Sequence, residues 1–122
     1  LTTAETGHLV FATLHTSGAP NAINRLIDVF PPEQQGQIRA QIAESLKMVI
    51  TQKLFKKKDG SGRISAFEVM VCTAPVKNLI RENKIHQIPS VMQTSQREGM
   101  ITMDKSIEGL VGTGVISSAE KN

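Results

Sequence analysis

The 122-residue sequence contains no Trp or Tyr, and its only cysteine is Cys72. Because aromatic residues make up 3% of the chain, aliphatic side chains and methionine must supply most of the packing in any core. A single cysteine excludes an internal disulfide, which fits a reducing compartment. Its neighbours Val69, Met70 and Val71 predict that Cys72 is a small buried residue and not a reactive thiol.

The sequence also lacks a secretory signal, a targeting motif and any apolar run long enough to span a bilayer, so we predict no direct membrane insertion. The net charge is +3, and apart from Lys53 and the run 56–58 the basic residues are scattered. No aromatic residues are interleaved with them as stacking platforms, so we expect no nucleic-acid partner. The length predicts one domain with one hydrophobic core.

An apolar run near the start of the chain predicts a buried strand. Residues 9–14 read Leu-Val-Phe-Ala-Thr-Leu, between His8 and His15, and the pattern is typical of a strand over 8–14 that is buried on both faces. In an open parallel sheet, ligands bind beyond the carboxyl ends of the strands. We therefore expect His15 at the carboxyl end of this strand, where ligands bind. We also expect the neighbouring strands of the sheet to precede Leu1 in a longer chain.

The remaining pattern predicts several helices and one β-hairpin. An Asp-Gly turn at 59–60 separates two runs with strand character, which is a hairpin signal. The predicted elements are a short helix ending before Gly7, a helix over 21–29, a helix from Glu33 with Ile38, Ile42, Leu46 and Val49 on one face, strands over 48–56 and 63–71, and helices starting at Ala74, Ile85, Thr102 and near Ser117.

Glu68 does not fit the apolar pattern of the second hairpin strand. It shares a face with Ile64, Ala66 and Met70. A carboxylate among apolar neighbours must be paired or must lie near water. Two interpretations stay open: Glu68 is the structural partner of a Lys or Arg, or it has a functional role.

Four segments together resemble the ATPases of the secretion superfamily. They are 6–16, 24–31, 62–70 and 74–82. The last reads Ala-Pro-x-x-Asn-Leu-Ile-Arg-Glu and is similar to the element that distinguishes the twitching-motility (PilT) family, whose members power the retraction of type IV pili. The resemblance covers essentially the whole chain.

The resemblance implies an α/β fold in which a remnant of a RecA-like P-loop NTPase core (strand, helices and β-hairpin) is followed by a carboxyl-terminal helical bundle. It assigns residues 1–72 to the carboxyl-terminal part of the ATPase core and residues 73–122 to a helical subdomain. The phosphate-binding loop and the acidic Walker B segment of the family do not occur in these 122 residues. The resemblance therefore implies a carboxyl-terminal fragment that is inactive alone.

The same resemblance implies the cofactors, partners and location of the full-length protein. The cofactors are ATP and Mg²⁺. The protein assembles with itself as a homohexamer and contacts an inner-membrane platform protein of the pilus machine. It is cytoplasmic and peripheral at the bacterial inner membrane.

The histidines that bracket the apolar run inherit a catalytic role from the resemblance, because the corresponding histidines of the family lie near the γ-phosphate. Carried over, these are His15 and His8. On a strand the seven steps between them span roughly 23 Å at about 3.3 Å each, so they cannot share one metal ion and we expect no metal site. His86 has no such support and is predicted to lie on the surface.

The segment that distinguishes the family inherits a role in retraction and partner contacts. Its residues are Ala74, Asn78, Leu79, Ile80, Arg81 and Glu82. A simpler interpretation also stays open, in which Leu79 and Ile80 face the core and Arg81 is solvated. Two other functions remain as alternatives: a pilus-assembly or type II secretion ATPase of the same superfamily, and a non-enzymatic binding module.

Overall fold

The structure is a computed structural model in which residues 1–121 are described. The helices are α1 (Thr2–Glu5), α2 (Ala19–Asp28), α3 (Pro32–Ser45), α4 (Ala74–Arg81), α5 (Ile88–Gln93) and α6 (Met103–Gly112). The strands are β1 (Met48–Lys56) and β2 (Arg63–Val71), and short 3₁₀ turns lie at Ile85–Gln87, Gln96–Glu98 and Ser118–Lys121. No helix among these described residues is both long and apolar enough to cross a bilayer.

The predicted hairpin is confirmed. β1 and β2 pair antiparallel, with Met48 opposite Val71 and Lys56 opposite Arg63. At the turn, the Asp59 carboxylate accepts a hydrogen bond from the backbone N–H of Ser61 at 2.8 Å. Hydrogen bonds from Ser61 lower the pKa of Asp59. The local turn chemistry therefore sets the register of the sheet.

The outer edge of β2 is covered by the chain that leads into α6. Val69 and Ile101 exchange two backbone hydrogen bonds of 2.9 and 3.1 Å. Further along, the N–H of Phe67 donates to the Ser106 hydroxyl at 3.0 Å. These contacts satisfy backbone groups that an open edge would leave unpaired.

Two apolar clusters form the core. The larger one joins α2, α3, α4, α5 and one face of β2, and its fully buried members include Ile23, Ile42, Met70, Ile80 and Ile88. The smaller one lies under α6 and contains Phe55, Ala66, Ile107 and Ile116. Cys72 is buried at the border of the larger cluster, as predicted, and burial raises the pKa of its thiol to about 11.

The predicted strand over His8–Leu14 is wrong for this chain. Residues 8–16 form neither helix nor strand, and Leu9 and Phe11 are 80% and 89% exposed. A strand needs a neighbour that accepts and donates its ladder hydrogen bonds. The sheet of the described residues contains only β1 and β2, which pair with each other, so the apolar run has no partner there.

Four helix predictions also need correction. α2 begins at Ala19, two positions before the predicted start. α3 ends at Ser45, so Leu46 and Val49 are not on that helix, although both pack against the larger cluster. The helix predicted from Ile85 is divided into a 3₁₀ turn and α5. Pro89 explains the division, because its ring cannot donate a hydrogen bond and would clash with a carbonyl one turn earlier. The element near Ser117 is a 3₁₀ turn.

Candidate functional site

His15 lies beside a shallow depression of about 490 Å³ between the loop 15–18 and α2. The lining residues are His15, Thr16, Ser17, Asn21, Asn24, Arg25 and Asp28. Gly18 adopts φ 86° immediately before α2, a conformation that favours glycine. The Asn21 side-chain amide donates to the Ser17 carbonyl at 2.7 Å, which ties the loop to the first turn of the helix.

The sequence analysis did not identify the α2 residues of this depression as functional. Three of them nevertheless lie in the segment 24–31, which is one of the segments that carry the resemblance. Asn21, Asn24, Arg25 and Asp28 follow the spacing i, i+3, i+4, i+7, which places them on one face of α2. All four are exposed. The polar face of an amphipathic helix is the signal that would have identified them, once the loop carrying His15 was known to precede that face.

The side chains around the depression are suited to bind one phosphate group of a larger ligand. The Arg25 guanidinium carries a planar fork of donors that matches phosphate oxygens. The His15 ring and the Asn24 amide add further hydrogen-bonding groups, while the Asp28 carboxylate opposes negative charge at one side. The residues therefore fit one phosphate group better than a whole nucleotide. In residues 1–121 no group of three or more His, Cys, Asp or Glu side chains is placed to hold a metal ion.

His8 is separate from this depression. Its Nδ1 is 3.1 Å from the Thr6 hydroxyl, which donates to the Thr3 carbonyl at 2.9 Å. The ring is exposed and does not contribute to the lining around His15. The structure thus places the two histidines in different surroundings. His86 is exposed in a 3₁₀ turn, which confirms its predicted surface position.

The distinguishing segment forms α4, with one buried face. Ile80 is fully buried in the larger cluster and Leu79 is partly buried against it. The remaining predicted residues, Ala74, Asn78, Arg81 and Glu82, are exposed. The core interpretation is therefore correct for Ile80 and, in part, for Leu79, while the other four residues form the surface of this segment.

Arg81 is not simply solvated, because it joins α4 to α3. Its guanidinium forms an ion pair with Glu44 of α3 and also donates to the Asn78 side-chain carbonyl at 2.9 Å. The hydrogen bond and the charge of Arg81 lower the pKa of Glu44. Both side chains are exposed, so solvent screens the pair.

Glu68 is paired, but its predicted Lys or Arg partner is wrong. Its carboxylate accepts two backbone hydrogen bonds, from the N–H of Ala19 at 2.9 Å and from the N–H of Met103 at 3.2 Å. These are the first residues of α2 and α6. The first N–H groups of a helix have no partner within the helix and carry partial positive charge, so they satisfy a carboxylate as a cation would.

Comparison with known proteins gives consistent matches. The family described as Type II/IV secretion system protein matches residues 1–121. A twitching motility protein of Neisseria gonorrhoeae is 52% identical over 117 residues, which cover 96% of this chain and 31% of that protein. The type IV pilus retraction ATPase PilT of Pseudomonas aeruginosa is 50% identical over 117 residues, which cover 96% of this chain and 34% of PilT. The type II secretion system protein HxcR of the same organism is 26% identical, over 89% of this chain and 26% of HxcR.

Solved structures agree with these matches. The crystal structure of the pilus retraction motor PilT with bound ADP has a TM-score of 0.85 and 40% identity, over 96% of this chain and 32% of that chain. The ATPase DotB of Legionella pneumophila has a TM-score of 0.79 and 27% identity, over 96% of this chain and 31% of that chain. The chain thus has the fold of the corresponding region of these ATPases, and it spans about a third of the length of the relatives that it matches.

Proposed function

Since the chain belongs to the Type II/IV secretion system protein family, we propose that it is the carboxyl-terminal part of a hexameric ATPase that hydrolyses ATP to retract type IV pili. The observation that carries the proposal is 50–52% identity to relatives named for retraction and twitching motility, against 26% to a secretion relative. Hydrolysis is a property of the full-length protein, because these 122 residues contain no phosphate-binding loop.

Within that protein, His15 and Arg25 are proposed to meet the terminal phosphate of ATP. Phosphoryl transfer is catalysed mainly by positioning and by stabilising charge on the transferred group. A guanidinium and an imidazole at one depression supply both. ATP itself supplies the transferred phosphoryl group. Residues 1–121 offer no cluster of three or more His, Cys, Asp or Glu side chains for a metal ion, and the Mg²⁺ that accompanies ATP is proposed to be held mainly by other regions of the full-length protein.

The exposed side of α4 is proposed to contact the machine. Ala74, Asn78, Arg81 and Glu82 are available on the surface, whereas Ile80 is fully buried and cannot reach a partner without unfolding. The proposed partners are neighbouring subunits of a homohexamer and the platform protein at the inner membrane. The proposed location is cytoplasmic, at the membrane periphery. Residues 73–122 are proposed as a helical subdomain beside residues 1–72, which belong to the ATPase core.

The test uses the full-length ring ATPase. His15→Ala and Arg25→Ala should each lower kcat for ATP by about 10²-fold, since each removes one group from a preorganised charge-stabilising site. Nucleotide affinity should change little, because most of the nucleotide is held elsewhere. His86→Ala is the matched control, since that ring is exposed and distant in sequence from the depression. A kcat equal to that of the unmodified protein would remove His15 from the mechanism.

A second measurement is needed to decide whether the full-length protein retracts pili or assembles them. An ATPase that assembles pili and one that retracts them share the same hydrolysis, so ATP turnover does not separate them, whereas a twitching assay together with a count of surface pili does. A strain carrying Ala74→Ser with Asn78→Ala should keep its ATP turnover but lose twitching. Twitching that equals that of the parent strain would show that Ala74 and Asn78 are not needed for retraction. Loss of surface pili in the variant strain would favour the assembly alternative, and a full-length protein without ATP turnover would favour the binding module.

A further inference from the structure

One carboxylate joins three elements that are far apart in sequence. Glu68 lies on β2, and its two oxygens accept the first N–H of α2 and the first N–H of α6. Ala19 is 49 residues away along the chain and Met103 is 35 residues away. Ala19 is fully buried and Glu68 is partly buried, and both hydrogen bonds are partly shielded from water.

A carboxylate is the acceptor in both contacts, at 2.9 Å from the Ala19 nitrogen and 3.2 Å from the Met103 nitrogen. Hydrogen bonds to an ionised carboxylate are shorter and about twice as strong as neutral ones. Each helix also presents partial positive charge at its N-terminus, and the single negative charge serves both helices. A neutral side chain with one acceptor oxygen cannot do this, because it would leave one of the two N–H groups without a partner.

The contact on α2 reaches the loop of His15. Ala19 follows Gly18, and the ring of His15 is four residues before Ala19. The Asn21 amide holds the Ser17 carbonyl at 2.7 Å, so the loop and the first turn of α2 form one hydrogen-bonded unit. A displacement of the Ala19 N–H therefore displaces the loop that carries His15.

The second contact of Glu68 is with the N-terminus of α6, the last α-helix among residues 1–121. Thr102 caps α6 by accepting the N–H of Lys105 at 3.3 Å, and Met103 follows it directly. Glu68 is therefore hydrogen-bonded to the N-terminus of α6 through one oxygen, and through the other oxygen to the residue that follows the His15 loop.

We infer that Glu68 is a positioning residue that couples the N-terminus of α6 to the loop of His15, so that the placement of α6 sets the placement of His15. The inference rests on the proposed function only where it concerns ATP turnover. The coupling itself is a property of the fold and has its own measurement.

Ser106 provides the matched control. It also links β2 to α6, through the N–H of Phe67 at 3.0 Å, and none of the hydrogen bonds described for it goes to α2. If Glu68 only stabilised the packing of β2 on α6, the substitutions Glu68→Gln and Ser106→Ala would have similar consequences.

The experiment compares hydrogen exchange and ATP turnover in the full-length protein carrying Glu68→Gln or Ser106→Ala. In Glu68→Gln we expect amide exchange in residues 15–22 to rise about ten-fold or more. We expect kcat to fall while the affinity for an ATP analogue stays within about two-fold. Ser106→Ala should change neither quantity in that segment. Unchanged exchange over 15–22 in Glu68→Gln, or an equal fall in kcat for both variants, would overturn the inference.

A second variant keeps the test decisive if Glu68→Gln fails to fold. Thr102→Ala loosens the α6 N-terminus without touching Glu68. Its effect should reach residues 15–22 as faster exchange, and the absence of any change there would contradict the coupling. If the unmodified full-length protein does not hydrolyse ATP, the proposed function is refuted but the coupling is not, because the exchange measurements do not depend on hydrolysis.

Discussion

The segment 8–14 and the hairpin β1–β2 have similar strand-like sequences but different structures. Both are rich in apolar and β-branched residues. The hairpin strands satisfy each other's backbone over nine residue pairs, whereas the segment 8–14 has no ladder partner in the described structure. Phe55 in β1 is 4% exposed and Phe11 is 89% exposed. Strand propensity is therefore realised only where the same chain supplies a partner.

The two regions also differ in what their side chains contact. Met70 of β2 is buried in the cluster that contains Ile80 of α4 and Ile42 of α3. Leu9 and Phe11 belong to neither cluster. The hairpin region therefore contributes hydrophobic free energy to folding, and the segment 8–14 contributes little in this chain.

The largest expected effect tests this contrast directly. Ile80→Ala in the 122-residue chain should reduce the free energy of unfolding by about 2–5 kcal/mol, because it leaves a cavity in the larger cluster. Phe11→Ala should change the free energy of unfolding by less than about 0.5 kcal/mol, although it removes a larger side chain. Urea unfolding followed by circular dichroism measures both. A comparable loss in Phe11→Ala would show that the segment 8–14 is packed.

A smaller effect is expected at the start of α6. Thr102→Ala removes the hydroxyl that accepts the Lys105 N–H, and this should cost about 1 kcal/mol of stability. Thr13→Ala makes the same change of side chain in the exposed segment 8–16, and we expect no measurable loss. The same urea titration compares them. Equal values for the two variants would mean that the cap does not stabilise α6.

Local chemistry explains what the sequence predicted correctly. The Asp59 turn, the Thr102 cap and the prolines in the first turns of the helices depend on residues within a few positions of each other. The buried face of β2 and the burial of Cys72 follow from strand alternation and apolar neighbours. Each of these signals is complete within a short window of sequence.

The features that the sequence did not predict depend on distant segments. The partners of Glu68 are the helix starts at Ala19 and Met103, which no local pattern relates to β2. The depression around His15 requires the loop to lie against one face of α2. The catalytic roles of His8 and His15 and the retraction role of α4 stay predictions, since they concern the full-length protein.

The smallest expected effect concerns the exposed ion pair between α3 and α4. Arg81 lowers the pKa of Glu44 from its ordinary value of 4.5 in the folded chain. A carboxyl group whose pKa is lowered by folding contributes stability above its unfolded pKa, and it loses that contribution as the pH falls through the folded value. The unmodified chain should therefore become less stable as the pH falls below about 4.5, and Glu44→Gln should lack this component of the pH dependence.

Glu5→Gln separates this pair from the general effect of removing a carboxylate. Glu5 is exposed in α1, before the segment 8–14, and no ion pair is described for it among residues 1–121. Urea midpoints measured from about pH 6 to about pH 3 should fall in parallel for Glu5→Gln and the unmodified chain, and less steeply for Glu44→Gln. Because the pair is exposed, salt should reduce the difference. Parallel curves for all three proteins would mean that Arg81 contributes nothing to the joining of α3 and α4, and that the apolar contacts of the larger cluster hold the two helices together.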